Sequence, residues 1–480
     1  MSIKKQAVLG VKWTSVSTIT LAFSALLKIS ILARFLKPSD FGLMALITFI
    51  LGFMDLFMDM GITSAILHKQ GIKKKEYASL YWLNIGFSLL LFTLIFLISP
   101  LLASFYQEPQ LVKLVRLSGI IIIFSAIGRQ HKTIFQKELR FKTIAIVDIT
   151  SILISLISAV ILAIYGLGVY ALVFSAIIQY CINNIVYFML GIKRNPILFH
   201  YDYVETKRFL KIGVYQVGGH MINYFNRDLD VLIIGKFFGT DILGGYSLAK
   251  QLVRRPVSII DPIINKVGIS ILPRHQSNNV LLLKYFNMLV KNLSIINAFV
   301  YGAIAIAAPI IVSILYGEQY QNIVSLVQLF SIVVYFRSIS GLIGILSITK
   351  GRTDLEFYWN FMISIIMPLV MFIGINQSEE TIVFLIAITQ MLLIFPIWYM
   401  FYSKQINMPF NLFVKNVFIP FIISGGLFFT YNFLDIKDVW FQIFSCALLL
   451  VILVLYTIHS DREVLNFIKK NKYVKPFIKN

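Results

Sequence analysis

The chain has 480 residues, of which 58% are hydrophobic and only 14% charged, with a mean hydropathy of +0.82. That composition excludes a soluble globular or disordered class and fits a polytopic helical membrane protein. Lys and Arg number 43 against 22 Asp and Glu, a formal charge of +21, but the bases sit mostly in short connections between apolar runs, a topological pattern that argues against nucleic acid as a partner.

Met1 to Lys5 precede a long apolar segment that lacks a small-residue cleavage site, so an uncleaved first span is expected rather than a removed signal peptide. At ~20 residues per crossing, with charged or Pro/Gly-rich breaks as punctuation, about fourteen helices follow. They begin near Gly10, Phe41, Ser79, Leu111, Lys142, Gly168, Phe209, Ile242, Tyr285, Gln321, Leu355, Thr381, Leu412 and Trp440. With the N-terminus inside, the inner connections carry Lys69, Lys73, Lys74 and Lys75, then Arg129, Lys132, Lys137, Arg140 and Lys142, then Lys193, Arg194, Lys207, Arg208 and Lys211. Later inner segments hold Arg274, Lys350, Arg352 and Lys404, and a basic tail runs from Arg462 to Lys479. The outer connections SPLLASFYQEPQ, YGLG, YGEQYQ and GINQSEE contain no Lys or Arg. An even number of spans with both termini cytoplasmic satisfies the positive-inside rule throughout. Cys181 and Cys446 fall in apolar spans and match no metal or redox spacing, so neither a metal site nor a cofactor is expected.

Sliding the chain on itself by about 202 residues aligns Leu27 with Leu229, Ile31 with Ile233, Phe35 with Phe237, Gly42 with Gly244, Leu46 with Leu248 and Asp59 with Asp261. Arg34 meets Lys236 in the same register. Apolar identities alone carry little weight in such a chain; a shared turn glycine and a shared intramembrane aspartate carry more. The expectation is an all-α polytopic membrane protein whose two parallel six-helix lobes, 1–207 and 208–403, flank a central cavity, with two further helices and the tail in 404–480.

Spans 7 and 8 hold Arg227, Asp228, Asp230, Lys250, Arg254, Arg255 and Asp261. A charge at the bilayer centre costs roughly 2.5–3.5 kcal/mol on insertion scales, so such residues persist where they face a wet or ligand-filled interior. Gln216, His220, Asn223, Arg227 and Asp230 follow spacings of 4, 3, 4 and 3, which puts them on one helix face. Lys250, Arg254 and Asp261 share a face of span 8, with Pro256 expected to kink it. Span 1 offers Ser17, Ser24 and Lys28, span 2 adds Asp55 and Asp59, and Lys291 and Arg337 come from spans 9 and 10. Bases outnumber acids in the C-terminal half. Arg supplies a rigid donor fork and Lys a flexible point charge, so a phosphate or pyrophosphate group is the guest this mixture suits.

Plainer readings stand beside these. Lys28, Arg34, Lys236 and Lys291 lie near span ends and can snorkel to the interface. Asp228 or Asp230 can neutralise a base as a structural ion pair. His220 can be a hydrogen-bonded packing residue, and Asp59 and Asp261 can cap or tether neighbouring helices. Arg254 and Arg255, beside a proline at mid-depth, are the hardest to explain without substrate contact or gating.

The run ARFLKPSDFGLMALITFILGFMDLFMDMGITSAILHK, Ala33 to Lys69, resembles the first-hairpin signature of bacterial polysaccharide flippases of the Wzx type, in the multidrug/oligosaccharidyl-lipid/polysaccharide exporter superfamily, on the colanic-acid-exporter side. FQKELRFKTIAIVDI from Phe135, GLGVYALV from Gly166, RDLDVLIIGKFFGTDILGGYSLAKQLVRRP from Arg227 and ILYGEQY from Ile314 agree. Beyond about residue 360 the likeness is one of hydropathy only. The resemblance implies export of an undecaprenyl-pyrophosphate-linked oligosaccharide across the bacterial cytoplasmic membrane by alternating access, for O-antigen, capsule or exopolysaccharide. It also implies H+ or Na+ coupling as an option, a polysaccharide polymerase and chain-length machinery as partners, and an apolar groove for the polyprenyl tail at the last two helices. On this reading Arg254, Arg255, Arg227 and Lys250 contact phosphate, with Lys28, Arg337, Gln216, His220 and Asn223 beside them, while Asp55, Asp59, Asp228, Asp230 and Asp261 are coupling or structural acids. A cation-coupled drug exporter and a membrane glycan polymerase are the alternatives. Cationic drugs would favour an acidic, aromatic cavity, and polymerisation would require acid, base or Arg groups on an outer face that is nearly free of them.

Overall fold

In lipid every backbone donor and acceptor has to be satisfied within the segment, so apolar runs of spanning length fold as helices. The computed structural model describes residues 3–59, 62–68, 71–434 and 439–460, and among them no strand occurs. The helices are α1 (Ile3–Leu32), α2 (Pro38–Asp59), α3 (Lys74–Tyr106), α4 (Gln110–Lys137), α5 (Phe141–Ile164) and α6 (Val169–Ile192), with a short helix Ile62–His68 behind α2. Tyr203–Ile271 is one helical run whose only non-helical backbone is Gly239, at φ 81° and ψ 176°. That region of backbone space belongs essentially to glycine, and the break there separates α7 (203–238) from α8 (240–271). Then come α9 (Asn279–Leu315), α10 (Glu318–Lys350), α11 (Thr353–Gly374), α12 (Glu379–Ile406), α13 (Phe410–Leu434) and α14 (Val439–Ser460). Among the described residues, twelve helices are long and apolar enough to cross a membrane; α7 and α8, which carry the charged stripes, are not among the twelve.

Gly239 lies just ahead of Ile242, where span 8 is expected to begin, while Pro256, where a kink is expected, shows no non-helical backbone. Pro256 and Pro262 keep helical dihedrals inside α8: a proline ring already fixes φ near the helical value, and losing one N–H does not by itself end a helix.

The chain divides into two compact units. The first comprises Met1–Leu248, Leu315–Gly317 and Asn360–Phe372. Lipid tails are as apolar as leucine, so these helices gain from close packing of small residues rather than from burying oil against water. Serines accordingly fill their buried faces, with Ser79, Ser88 and Ser99 on α3 and Ser151 and Ser155 on α5 nearly inaccessible. Gly128 of α4 lies so near α6 that an added Cβ would stand 2.5 Å from the Asn184 Cα. The connector after α6 docks on α3: the Trp82 indole donates to the Leu198 carbonyl at 3.0 Å, and Ser79 Oγ accepts from the Asp202 amide at 3.0 Å and donates to Glu205 at 2.7 Å. Further along, the Tyr224 hydroxyl of α7 donates to the Phe49 carbonyl of α2 at 2.7 Å.

The second unit comprises Ala249–Ile314, Glu318–Trp359 and Ile373–Asn480. Tyr335 of α10 donates to the Val417 carbonyl of α13 at 2.6 Å, and Asn416 of α13 to Asn287 of α9 at 2.6 Å. At one end of this unit Lys350 Nζ donates to Asn279 Oδ1 at 2.7 Å.

The glycine contacts make a direct test of the packing. Gly128→Leu is expected to lower the thermal unfolding midpoint of the detergent-purified chain, by overpacking worth about 1–3 kcal/mol. Gly86→Leu in α3, where no atom lies within 4 Å of an added Cβ, should leave the midpoint within error.

Candidate functional site

In the first unit the charges gather on α2, α4 and α7. Helix α4 continues to Lys137, so Arg129 and Lys132, expected in a connection, stand inside the helix, Arg129 about two turns from its end. Arg129 forms an ion pair with Asp55 and lies 3.9 Å from the carboxylate of Asp59. Thr63 donates to that same Asp59, and Tyr180 of α6 is within electrostatic reach of Asp55 and Arg129. On α7, Arg227 Nε sits 2.6 Å from Asp228 Oδ2 and its guanidinium lies over the Tyr224 ring at 5.2 Å. Tyr224 also feels the charges of Asp228, Arg227 and Asp55. The polar face read from the spacing is visible as the exposed side chains of His220, Asn223 and Arg227. Asp230 turns inward, 6% exposed, and accepts from the Tyr246 hydroxyl at 2.7 Å. The side chain of Gln216 lies outside the described residues.

Lys28 is placed apart from this group. Its Nζ donates to Ser155 Oγ of α5 at 3.0 Å, which binds α1 to α5.

The second unit holds the bases. Lys250 and Lys291 are each 7% exposed, and Arg254, Arg255 and Arg337 are half-buried. Asp261 accepts from Ser338 Oγ at 2.9 Å and lies within the field of Arg337. Thus α8, α9 and α10 carry the buried or half-buried bases Lys250, Arg254, Arg255, Lys291 and Arg337 alongside the half-buried Asp261.

The two repeat-related aspartates have parallel surroundings. Asp59 on the second helix of the first repeat is met by a hydroxyl and by Arg129 of the fourth helix; Asp261 on the second helix of the second repeat is met by a hydroxyl and by Arg337 of its fourth helix. The tethering role weighed for both residues has its partners in place.

One cluster escaped the sequence reading. Asp148 of α5 accepts from Lys132 at 3.1 Å, from Asn183 at 2.7 Å and from the Tyr187 hydroxyl at 2.8 Å, and Lys132 also lies 5.3 Å from the Tyr187 ring centre. A lone acid inside the apolar run TIAIVDITSIL was the available signal.

Comparison with known proteins gives a consistent picture. Residues 31–325 match the family described as "Polysaccharide biosynthesis protein". The Teichuronic acid biosynthesis protein TuaB of Bacillus subtilis (strain 168) is 28% identical over 429 residues, 89% of this chain and 88% of that one. The Amylovoran biosynthesis protein AmsL of Erwinia amylovora is 31% identical over 334 residues, 69% of this chain and 86% of that one. In fold, the chain is similar to a structure of the lipid II flippase MurJ in an inward closed conformation, with a TM-score of 0.74 at 17% identity over 94% of this chain and 99% of that one.

The Arg129 arrangement predicts strong coupling. In a double-mutant cycle of Asp59→Asn and Arg129→Gln, unfolding of the purified chain should return an interaction energy of about 0.5–3 kcal/mol. Additive single effects would show the carboxylate and guanidinium to be energetically independent.

Proposed function

We propose that this chain, which belongs to the polysaccharide biosynthesis protein family, is a flippase that moves an undecaprenyl-pyrophosphate-linked oligosaccharide repeat unit from the inner to the outer leaflet of the bacterial cytoplasmic membrane. Its fourteen helices would span with both termini cytoplasmic, and transport would proceed by alternating access without covalent chemistry. The observation that supports the reading is the charge of the second unit: Lys250 and Lys291 are buried and Arg254, Arg255 and Arg337 half-buried, near the half-buried Asp261. Such an excess of cations is costly in lipid unless an anion is the guest. A pyrophosphate supplies that anion and presents oxygens suited to the Arg fork. His220 and Asn223, exposed on α7, would suit sugar hydroxyls, and the acids of the first unit are the candidates for H+ or Na+ coupling. A cationic-drug exporter has no use for five buried or half-buried bases.

The lipid tail also has a candidate seat. A cavity of about 300 Å³ lies among α9, α10 and α13, walled by Ala305, Leu329, Ile332, Phe421 and Phe428 with Gly425 at its edge. Its apolar lining suits an isoprenoid segment, and α13 is one of the two helices added beyond the repeats.

Two measurements follow. In a strain deleted for this chain, lipid-linked repeat units should accumulate on the cytoplasmic side and surface polymer should be lost; wild type should restore display, and Arg254→Ala with Arg255→Ala at matched membrane abundance should not. Normal display in the deletion strain would overturn the cargo, and polymerisation of a purified lipid-linked repeat unit by this chain alone would replace transport with catalysis. For the tail, Gly425→Leu places its side chain in open space, so the fold should be retained while surface display falls severalfold; unchanged display would remove the cavity from the transport path.

A further inference from the structure

At the ends that the charge pattern assigns to the outer side, α3 and α4 are joined through an arginine. Pro100 lies inside α3 and has no N–H to offer the carbonyl four residues back, that of Phe96. The Ser99 hydroxyl takes that carbonyl, donating to it at 2.8 Å, and the same Oγ accepts from Arg116 Nε of α4 at 2.9 Å. Ser99 is fully buried, so the acceptor is fixed in place. One face of the guanidinium lies on the Phe96 ring, 4.0 Å from its centre. Close packing holds the two helices at this spacing: a Cβ added at Gly119, three residues on from Arg116, would stand 3.2 Å from the Phe92 ring.

The rest of the guanidinium is unused. Its two terminal nitrogens carry four N–H groups that meet no acceptor among the described residues. Lys113, three residues earlier, is exposed on the same side of α4. Neither base has a carboxylate partner among the described residues, and Glu108, the acid before them in the chain, accepts from Thr240. The first turn of α4 holds no acid, and the partial positive charge of a helix start makes two cations there costlier still. Beside them α3 exposes Phe96, Leu97 and Leu101, an apolar wall of the kind that faces lipid. Arg116 stands about 9 Å along α4 from Gln110, at 1.5 Å per residue, which is close to the headgroup region flanking the hydrocarbon.

We propose that Ser99, Phe96, Lys113 and Arg116 form a seat for the phosphate of an anionic phospholipid at this end of the first unit. Ser99 and Phe96 hold the Nε edge and one face of the guanidinium, which leaves its terminal nitrogens as a preset fork for two phosphate oxygens. Lys113 adds a point charge beside the fork. Leu97 and Leu101 lie where the upper part of an acyl chain would run, and a soluble anion would leave them unused. The seat belongs to the first unit alone and does not depend on the cargo proposed above.

Native mass spectrometry of the delipidated chain, titrated with dioleoylphosphatidylglycerol, reads the seat without any transport assay. Arg116→Gln with Lys113→Gln should weaken binding of the first lipid roughly tenfold, as expected when two bases near a membrane surface are removed. Ser99→Ala keeps both charges and adds no bulk, and it should weaken binding by a smaller factor because the guanidinium is no longer oriented. Lys37→Gln removes an exposed base at the same end of the unit and should change nothing. Dioleoylphosphatidylcholine, which has no net charge, should bind wild type and the double variant alike. Three results would each overturn the seat: equal phosphatidylglycerol binding by wild type and the double variant, an equal loss in Lys37→Gln, or displacement of the lipid by equimolar inorganic phosphate.

Discussion

The cost of holding charge away from water organises this molecule. A helix packed in lipid has little to gain from burying further apolar surface, so polar contacts and close backbone approach decide which helices touch. The Asp59–Arg129 and Asp261–Arg337 arrangements show the consequence. In each repeat an acid on the second helix lies near an arginine of the fourth, and a hydroxyl donates to it. Replacing one partner leaves a charge that neither lipid nor neighbour can satisfy, which is why such pairs, once present, hold both members in place. The duplicated element pair is also independent support for the repeat, because it compares helices by contact rather than by aligned letters.

Against that background the two units use charge differently. In the first, acids and bases alternate closely: Arg129 with Asp55 and Asp59, Arg227 with Asp228, and Lys132 with Asp148. These pairs tie α2 to α4 and α4 to α5. In the second, Lys250 and Lys291 are buried and Arg254, Arg255 and Arg337 half-buried, with Asp261 and Glu356 half-buried as well. Local hydrogen bonding lowers the cost of such charges, as Ser338 does for the carboxylate of Asp261.

Much of this was legible in the residues themselves. Ten of the fourteen helices start within three residues of the expected spans, and the other four, such as α1 at Ile3 and α9 at Asn279, begin five to seven residues earlier because polar first turns precede the apolar run. The 202-residue register aligned Gly42 with Gly244 and Asp59 with Asp261; the two glycines lie in close backbone contact, and each aspartate has a hydroxyl partner. What stayed hidden was depth and partnership. Arg129 read as a connecting-loop base since hydropathy falls in the same way at a helix end and at an ion pair within a helix. Asp148 passed unnoticed for the opposite reason: its three donors come from α4 and α6, and no periodicity within α5 announces them. The boundary between spans 7 and 8 was legible near Ile242, but the kink expected at Pro256 leaves no non-helical backbone. Proline is the stronger signal on propensity, but its φ is helical, whereas the backbone at Gly239 is in a region other residues avoid.

The position of Gly239 bears on why a repeat should converge on glycine at its crossing. At Gly239 the helical run breaks with no intervening loop, so α8 begins one residue after α7 ends. A Cβ at Gly42 would overlap the Thr240 carbonyl oxygen and one at Gly244 the Pro38 carbonyl oxygen, so glycine at both positions is what lets the first turns of α2 and α8 meet. Polar contacts fix the same short segment: Lys236, three residues before Gly239, donates to the Phe105 carbonyl, and Thr240, directly after it, donates to Glu108. Hydrogen bonds and close backbone approach are thus concentrated between Lys236 and Gly244, where a single residue of turn joins two helices and no flexible connection intervenes.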